Sequence, residues 1–81
     1  MDSFKTIQLP VLVVVGPVCS TALDGRRVNL LVQSLLNQGY SILLDFQGVK
    51  LVTPSFYQAA VGDLLTIFPE DRIQAENLPK V

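Results

Sequence analysis

The sequence predicts an α/β fold, with a small mixed β-sheet of about four strands and two helices packed mainly on one face. Three observations predict it. Val11 to Val15 is an unbroken run of aliphatic, mostly β-branched residues, the pattern of a strand covered on both sides. A helical stripe separates it from a second apolar run at Ser41–Phe46, so strand, helix and strand follow one another in the order of a βαβ unit. A second stripe at helical spacing follows that strand.

Phe4 to Leu9 alternates in part and reads as an edge strand or as an arm that pairs elsewhere; Pro10 interrupts it, because proline cannot donate to a ladder. Val11–Val15 is expected to be the central strand, ended by Gly16-Pro17. Ser20 or Thr21 can cap the next helix. Its stripe is Val28, Leu31, Val32, Leu35 and Leu36, with Gly39 as the left-handed residue past its end. The strand at Ser41–Phe46 should then run parallel to Val11–Val15. Asp45-Phe46-Gln47-Gly48 closes that strand and turns. Thr53 is the expected cap of the second helix and Pro54 its first residue. The stripe Tyr57, Ala60, Val61, Leu64, Leu65 and Phe68 follows, and Pro69 ends it. Arg72–Ala75 is expected as a last short strand.

Composition narrows the function. The chain is one domain of 81 residues, 49% hydrophobic and 16% charged, against about 25% charged in average chains. So small a body has much surface and few charges to cover it, which favours cover by another chain. The net charge is −1, and Arg26-Arg27 is the only basic pair; a clustered positive stripe for nucleic acid is missing. The apolar run is far too short to span a bilayer, and Met1-Asp2-Ser3 lacks the basic start of a signal peptide. The expected location is cytoplasmic.

Catalytic chemistry finds little to work with. The sequence has no histidine and a single cysteine, Cys19, which removes the commonest general base, the commonest metal ligand and any internal disulfide. Ser20, Ser34, Ser41 and Ser55 have no histidine to activate them, and no glycine-rich phosphate loop is present. The expectation is a non-enzyme with no cofactor and no metal site. Thr53, Pro54 and Ser55 open a helix, where backbone N–H groups and the dipole favour negative charge. A phosphate on Ser55, or an anionic small ligand, would sit in a favourable field there. Serine and threonine are also common at helix starts simply because they cap them.

Leu44-Asp45-Phe46-Gln47-Gly48-Val49, followed by Val52-Thr53-Pro54-Ser55-Phe56, resembles the STAS superfamily of sulphate transporters and anti-sigma-factor antagonists. It is most similar to the prokaryotic STAS-like branch of unknown function. Ser20-Thr21 with Arg26-Arg27 upstream, and Ala75-Glu76-Asn77-Leu78 downstream, also resemble that branch, so the likeness runs from about Val11 to Leu78. The resemblance implies a protein-interaction module. In anti-sigma-factor antagonists a serine at the start of the second helix is phosphorylated by a histidine-kinase-like ATPase, and this controls partner choice. Ser55 falls on that serine and is the phosphoacceptor candidate; Asp45, Thr53, Pro54, Ser55, Phe56 and Tyr57 form the expected partner-binding surface. Two residues depart from the family pattern. Thr53 stands where the family has an aspartate, and Phe56 where it has a glycine. The superfamily also usually continues past its fourth strand into further helix, so the fold is expected to be shortened at the C-terminus. The expected partner is an ATPase or anti-sigma-type regulator. The alternatives are a structural homo-oligomer without a switch, and anionic-ligand binding at the second helix.

Overall fold

The computed structural model describes residues 5–79. Strand β1 (Lys5–Pro10) is followed by a four-residue helix α1 (Val11–Val14) and a two-residue strand β2 (Val18–Cys19). Helix α2 (Ala22–Asn37) leads into β3 (Tyr40–Asp45) and then β4 (Leu51–Val52). A second helical layer comprises α3 (Pro54–Tyr57), a π-helical turn at Gln58–Gly62 and α4 (Leu64–Ile67). A 3-10 turn at Glu70–Arg72 enters β5 (Ile73–Glu76).

The α/β class holds. Its strands form two small sheets: β1-β3-β5 with β3 central, and the pair β2-β4. Every described pairing is parallel. Ile7 lies opposite Ile42 and Leu9 opposite Leu44 on one side of β3, while Ile73 and Ala75 face the same two residues on the other. These positions share a face because side chains alternate along a strand. Against that face pack Val28, Val32 and Leu36 of α2 with Phe56, Ala60, Val61 and Leu64 of the second layer. Ser41, Leu43 and Asp45 point to the opposite face.

The strand expected at Val11–Val15 is a helical turn instead, and this is the main correction. The parallel partner of β3 is β1, so the residues before Pro10 take the place expected of Val11–Val15. Their ladder ends at Pro10 opposite Asp45, because β3 itself turns there, with the Val49 N–H donating to the Phe46 carbonyl at 2.9 Å. Past that point the chain has no strand to pair with until β4. Only Val11 is fully buried in α1, and Val13 is 80% exposed. Seven residues (11–17) join β1 to β2, whereas five (46–50) join β3 to β4. Phe4, the first residue of the expected edge strand, lies outside the described residues.

The long helix follows its sequence signals closely. Thr21 caps it, accepting from the Asp24 N–H at 3.1 Å, and Gly39 past its end has φ +95°. Of the expected stripe, Val28, Val32 and Leu36 are buried and Leu35 is half-buried, but Leu31 is exposed. Gly25 has a stronger role than a weakened first turn. A Cβ there would lie 2.5 Å from the Phe56 carbonyl oxygen and 2.8 Å from the Ala59 Cβ, so α2 and the second layer touch backbone to backbone at this point. In that second layer the wide π turn shifts the phase of the stripe. Ala60, Val61 and Leu64 stay inside while Leu65 is exposed. Asn29 spans the two layers, its amide donating to the Ala60 carbonyl at 3.0 Å and to the Asp63 carboxylate at 3.1 Å.

Candidate protein-interaction site

The start of the second helical layer is built around Thr53. Its hydroxyl accepts from the Phe56 N–H at 3.2 Å, which caps α3, and donates to the Ser20 carbonyl at 3.1 Å. Its own N–H donates to the Cys19 carbonyl at 3.0 Å. The beginnings of α2 and α3 are therefore stitched side by side by one residue. This explains why threonine, rather than aspartate, stands here: a carboxylate accepts only and would face the Ser20 carbonyl without a proton to share. Cys19 lies beneath, buried, and burial together with nearby Asp24 pushes its thiol above the ordinary value.

Phe56 is fully buried in the core, and its neighbours Pro54 and Ser55 are exposed. Helical geometry requires this split, since adjacent residues point about 100° apart. Tyr57 is half-buried. Pro54 and Tyr57, with Lys50, Leu51, Val52, Thr53, Leu78 and Pro79, line a mainly apolar groove of about 710 Å³.

Asp45 shapes this groove from below. It ends β3 and is buried. Its carboxylate accepts from the Asn77 amide at 2.8 Å, the Gln47 N–H at 3.0 Å and the Gln8 amide at 2.7 Å. These donors, the Asn77 amide foremost, hold the carboxyl below its ordinary value. Asn77 has φ +61°, a left-handed turn that asparagine tolerates better than most residues. The turn directs the chain past β5 to Leu78 and Pro79, which form one wall of the groove. Of the six residues expected at the contact surface, Thr53, Pro54 and Tyr57 line the groove, Ser55 is exposed next to Pro54, and Asp45 and Phe56 are buried and do not line it.

The sequence reading missed Lys50, Leu51, Val52, Leu78 and Pro79 as walls of the groove, and it took Arg72 for the start of the last strand, where it instead ends the 3-10 turn before β5. Arg72 is buried and donates from one guanidinium nitrogen to the Leu36 carbonyl at 3.0 Å and the Tyr40 carbonyl at 2.7 Å. It stacks over the Phe68 ring at 5.5 Å. A cation at the C-terminal end of α2 is favoured by the helix dipole. Among the described residues, no group of three or more metal-ligating side chains is placed to hold a metal ion. No described helix is long and apolar enough to cross a membrane.

A family model described as a STAS-like domain of unknown function matches residues 24–80. The chain belongs to that family. The matched stretch begins inside α2 and takes in β3, the Thr53 cap, both helical layers, β5 and the groove wall. The STAS-like match therefore covers every residue that lines the groove, but not Gln8, Cys19 and Ser20, which bond Asp45 and Thr53 from outside it. No curated protein and no solved structure matches the chain significantly.

Proposed function

We propose that this STAS-like domain is a non-catalytic protein-interaction module, and that its contact surface is the groove beside Thr53, Pro54 and Tyr57. The observation that carries the reading is that groove itself: an open apolar channel of about 710 Å³, at the helix start where the family motif lies. Apolar surface of this kind on a small chain is the mark of a binding site. The partner is a regulator of anti-sigma type or a histidine-kinase-like ATPase, and the setting is cytoplasmic. Ser55 occupies the switch position. Its exposure beside the groove supports this role, since a phosphate there would add close to two negative charges at the rim of an apolar surface. Thr53 and Phe56 alter the frame that usually surrounds a modified serine. The fold accounts for both, the first by its bond to Ser20 and the second by its place in the core.

The test is affinity capture from the native cell with wild type, Ser55→Ala and Ser55→Glu, each checked for an unchanged circular dichroism spectrum. The expected result is a specific partner held by wild type and Ser55→Ala, and an altered partner set with Ser55→Glu. Capture of nothing specific by any of the three would remove the reading.

A further inference from the structure

The groove has a complement on this same chain. Ile67, at the end of α4, is 68% exposed. After it the backbone runs extended through Phe68 (φ −105°, ψ 149°) and Pro69 (φ −59°, ψ 149°), and then reaches Glu70 and Asp71, both exposed. The segment is held in this shape by Arg72, which stacks on Phe68 and bonds the carbonyls of Leu36 and Tyr40. Phe68 and Pro69 are thus a short extended stretch between the exposed Ile67 and two carboxylates, with Phe68 half-buried against this chain's own core and Ile67 and Pro69 presented outward, already ordered in the conformation it would use. Preordering lowers the entropic cost of docking, and extended proline-containing segments characteristically dock in grooves lined by aromatic residues. The groove supplies Tyr57, Pro54 and Pro79 for such contacts, and its one charged lining residue is the cation Lys50.

The two surfaces lie at opposite ends of the sheet. Glu70–Arg72 stands at the amino end, where Arg72 holds the first residue of β3, and the groove stands past the carboxyl ends of β3 and β5. The molecule is elongated, with extents of 38 × 20 × 19 Å. A segment at one end that fits a groove at the other makes a heterologous contact, which propagates from copy to copy instead of closing as a symmetric pair.

We infer that the occupant of the groove is a second copy of this chain, which inserts its Ile67–Pro69 segment head to tail, with Glu70 and Asp71 beside Lys50. The inference rests on the groove being a docking site, as proposed above; a second copy seated there competes with the cellular regulator for the same surface.

Two variants test it, each at an exposed residue, so that the fold is kept: Leu51→Glu blocks the groove and Ile67→Glu blocks the segment. Sedimentation velocity is run from low micromolar to near-millimolar concentration. Wild type is expected to grow in mass beyond a dimer as concentration rises, and each variant alone to stay a monomer. An equimolar mixture of the two variants is expected to form a dimer and nothing larger, because it contains one intact groove and one intact segment per pair. A mixture that stays monomeric overturns the inference, as does a wild type that stays monomeric throughout. If wild type is monomeric while Leu51→Glu loses a cellular partner that wild type captures, self-assembly falls and the interaction module stands.

Discussion

The Asn77 amide donates to the Asp45 carboxylate at 2.8 Å, joining the left-handed turn after β5 to the end of β3. This one bond sets where the chain goes next, and so sets one wall of the groove. Asn77→Ala should leave the sheet intact and release Leu78 and Pro79. The check is amide chemical shifts: changes are expected at Leu78, Lys50 and Tyr57, with β1 and α2 unaffected.

Asp45 gives the fold an acid dependence of known sign. Its carboxyl titrates below the ordinary 3.8 because Asn77, Gln47 and Gln8 donate to the charged form. The charged form is therefore favoured by folding. That contribution is complete above the unfolded value and is lost as pH falls through the lower, folded value. The unfolding midpoint of wild type should fall as pH drops through and below the ordinary carboxyl value. Asp45→Asn should start lower at neutral pH and show a flatter acid limb, measured by urea denaturation at a series of pH values.

Gly25 marks the closest approach of the two helical layers. Gly25→Ala gains helix propensity but drives a Cβ against the Phe56 carbonyl and the Ala59 side chain. Overpacking of this kind costs about 1–3 kcal/mol, and the propensity gain returns about 1 kcal/mol. A net loss of up to about 2 kcal/mol is expected by chemical denaturation, larger for Gly25→Val.

Thr53 should tolerate serine and little else. Thr53→Ala removes the cap and the bond to Ser20 and should cost about 1–2 kcal/mol. Thr53→Asp can keep the cap but sets a carboxylate against the Ser20 carbonyl. It is expected to be less stable than Thr53→Ser, which denaturation of the three variants in parallel reads directly.

Arg72 clamps the end of α2 to the start of β3. Arg72→Leu keeps much of the packing on Phe68 but leaves the Leu36 and Tyr40 carbonyls without this donor. Bonds from a charged donor are worth about 1.5–3 kcal/mol each, so losing the two is expected to cost about 3–6 kcal/mol in urea denaturation.

The parts of the fold legible in the sequence are those with local signals. Thr21, Gly39, Thr53 and Pro54 bound their helices through bonds to near neighbours, and the structure has them in those roles. Val11–Val15 misled because an aliphatic run has no period, and its strand preference lost to the length of its partner: β3 ends at Asp45, already paired with Pro10. Leu31 and Leu65 were misplaced because a stripe gives the face of a helix but not its width or a π turn within it. Arg72 carried no local signal at all, since the carbonyls it serves lie 32 and 36 residues away. Three of the eight residues that line the groove were visible for the same reason. Thr53, Pro54 and Tyr57 sit on a recognisable helix start, while Leu78 and Pro79 reach the groove only through the long-range bond between Asn77 and Asp45.

The unequal arms before β2 and β4 bear on how such chains diverge in length. Side chains alternate along a strand, so a slip of one residue exchanges its inner and outer faces. In β2, Cys19 faces in and Val18 faces out. A slip of β2 by one residue along β4 would turn Val18 inward and Cys19 outward beside the Thr53 cap, but residues added between Val11 and Pro17 fall in a helical turn and a bend and leave that register free. Length variation is therefore expected to gather at this bend, in odd or even steps, while the pairing of Val18 with Leu51 and Cys19 with Val52 stays fixed.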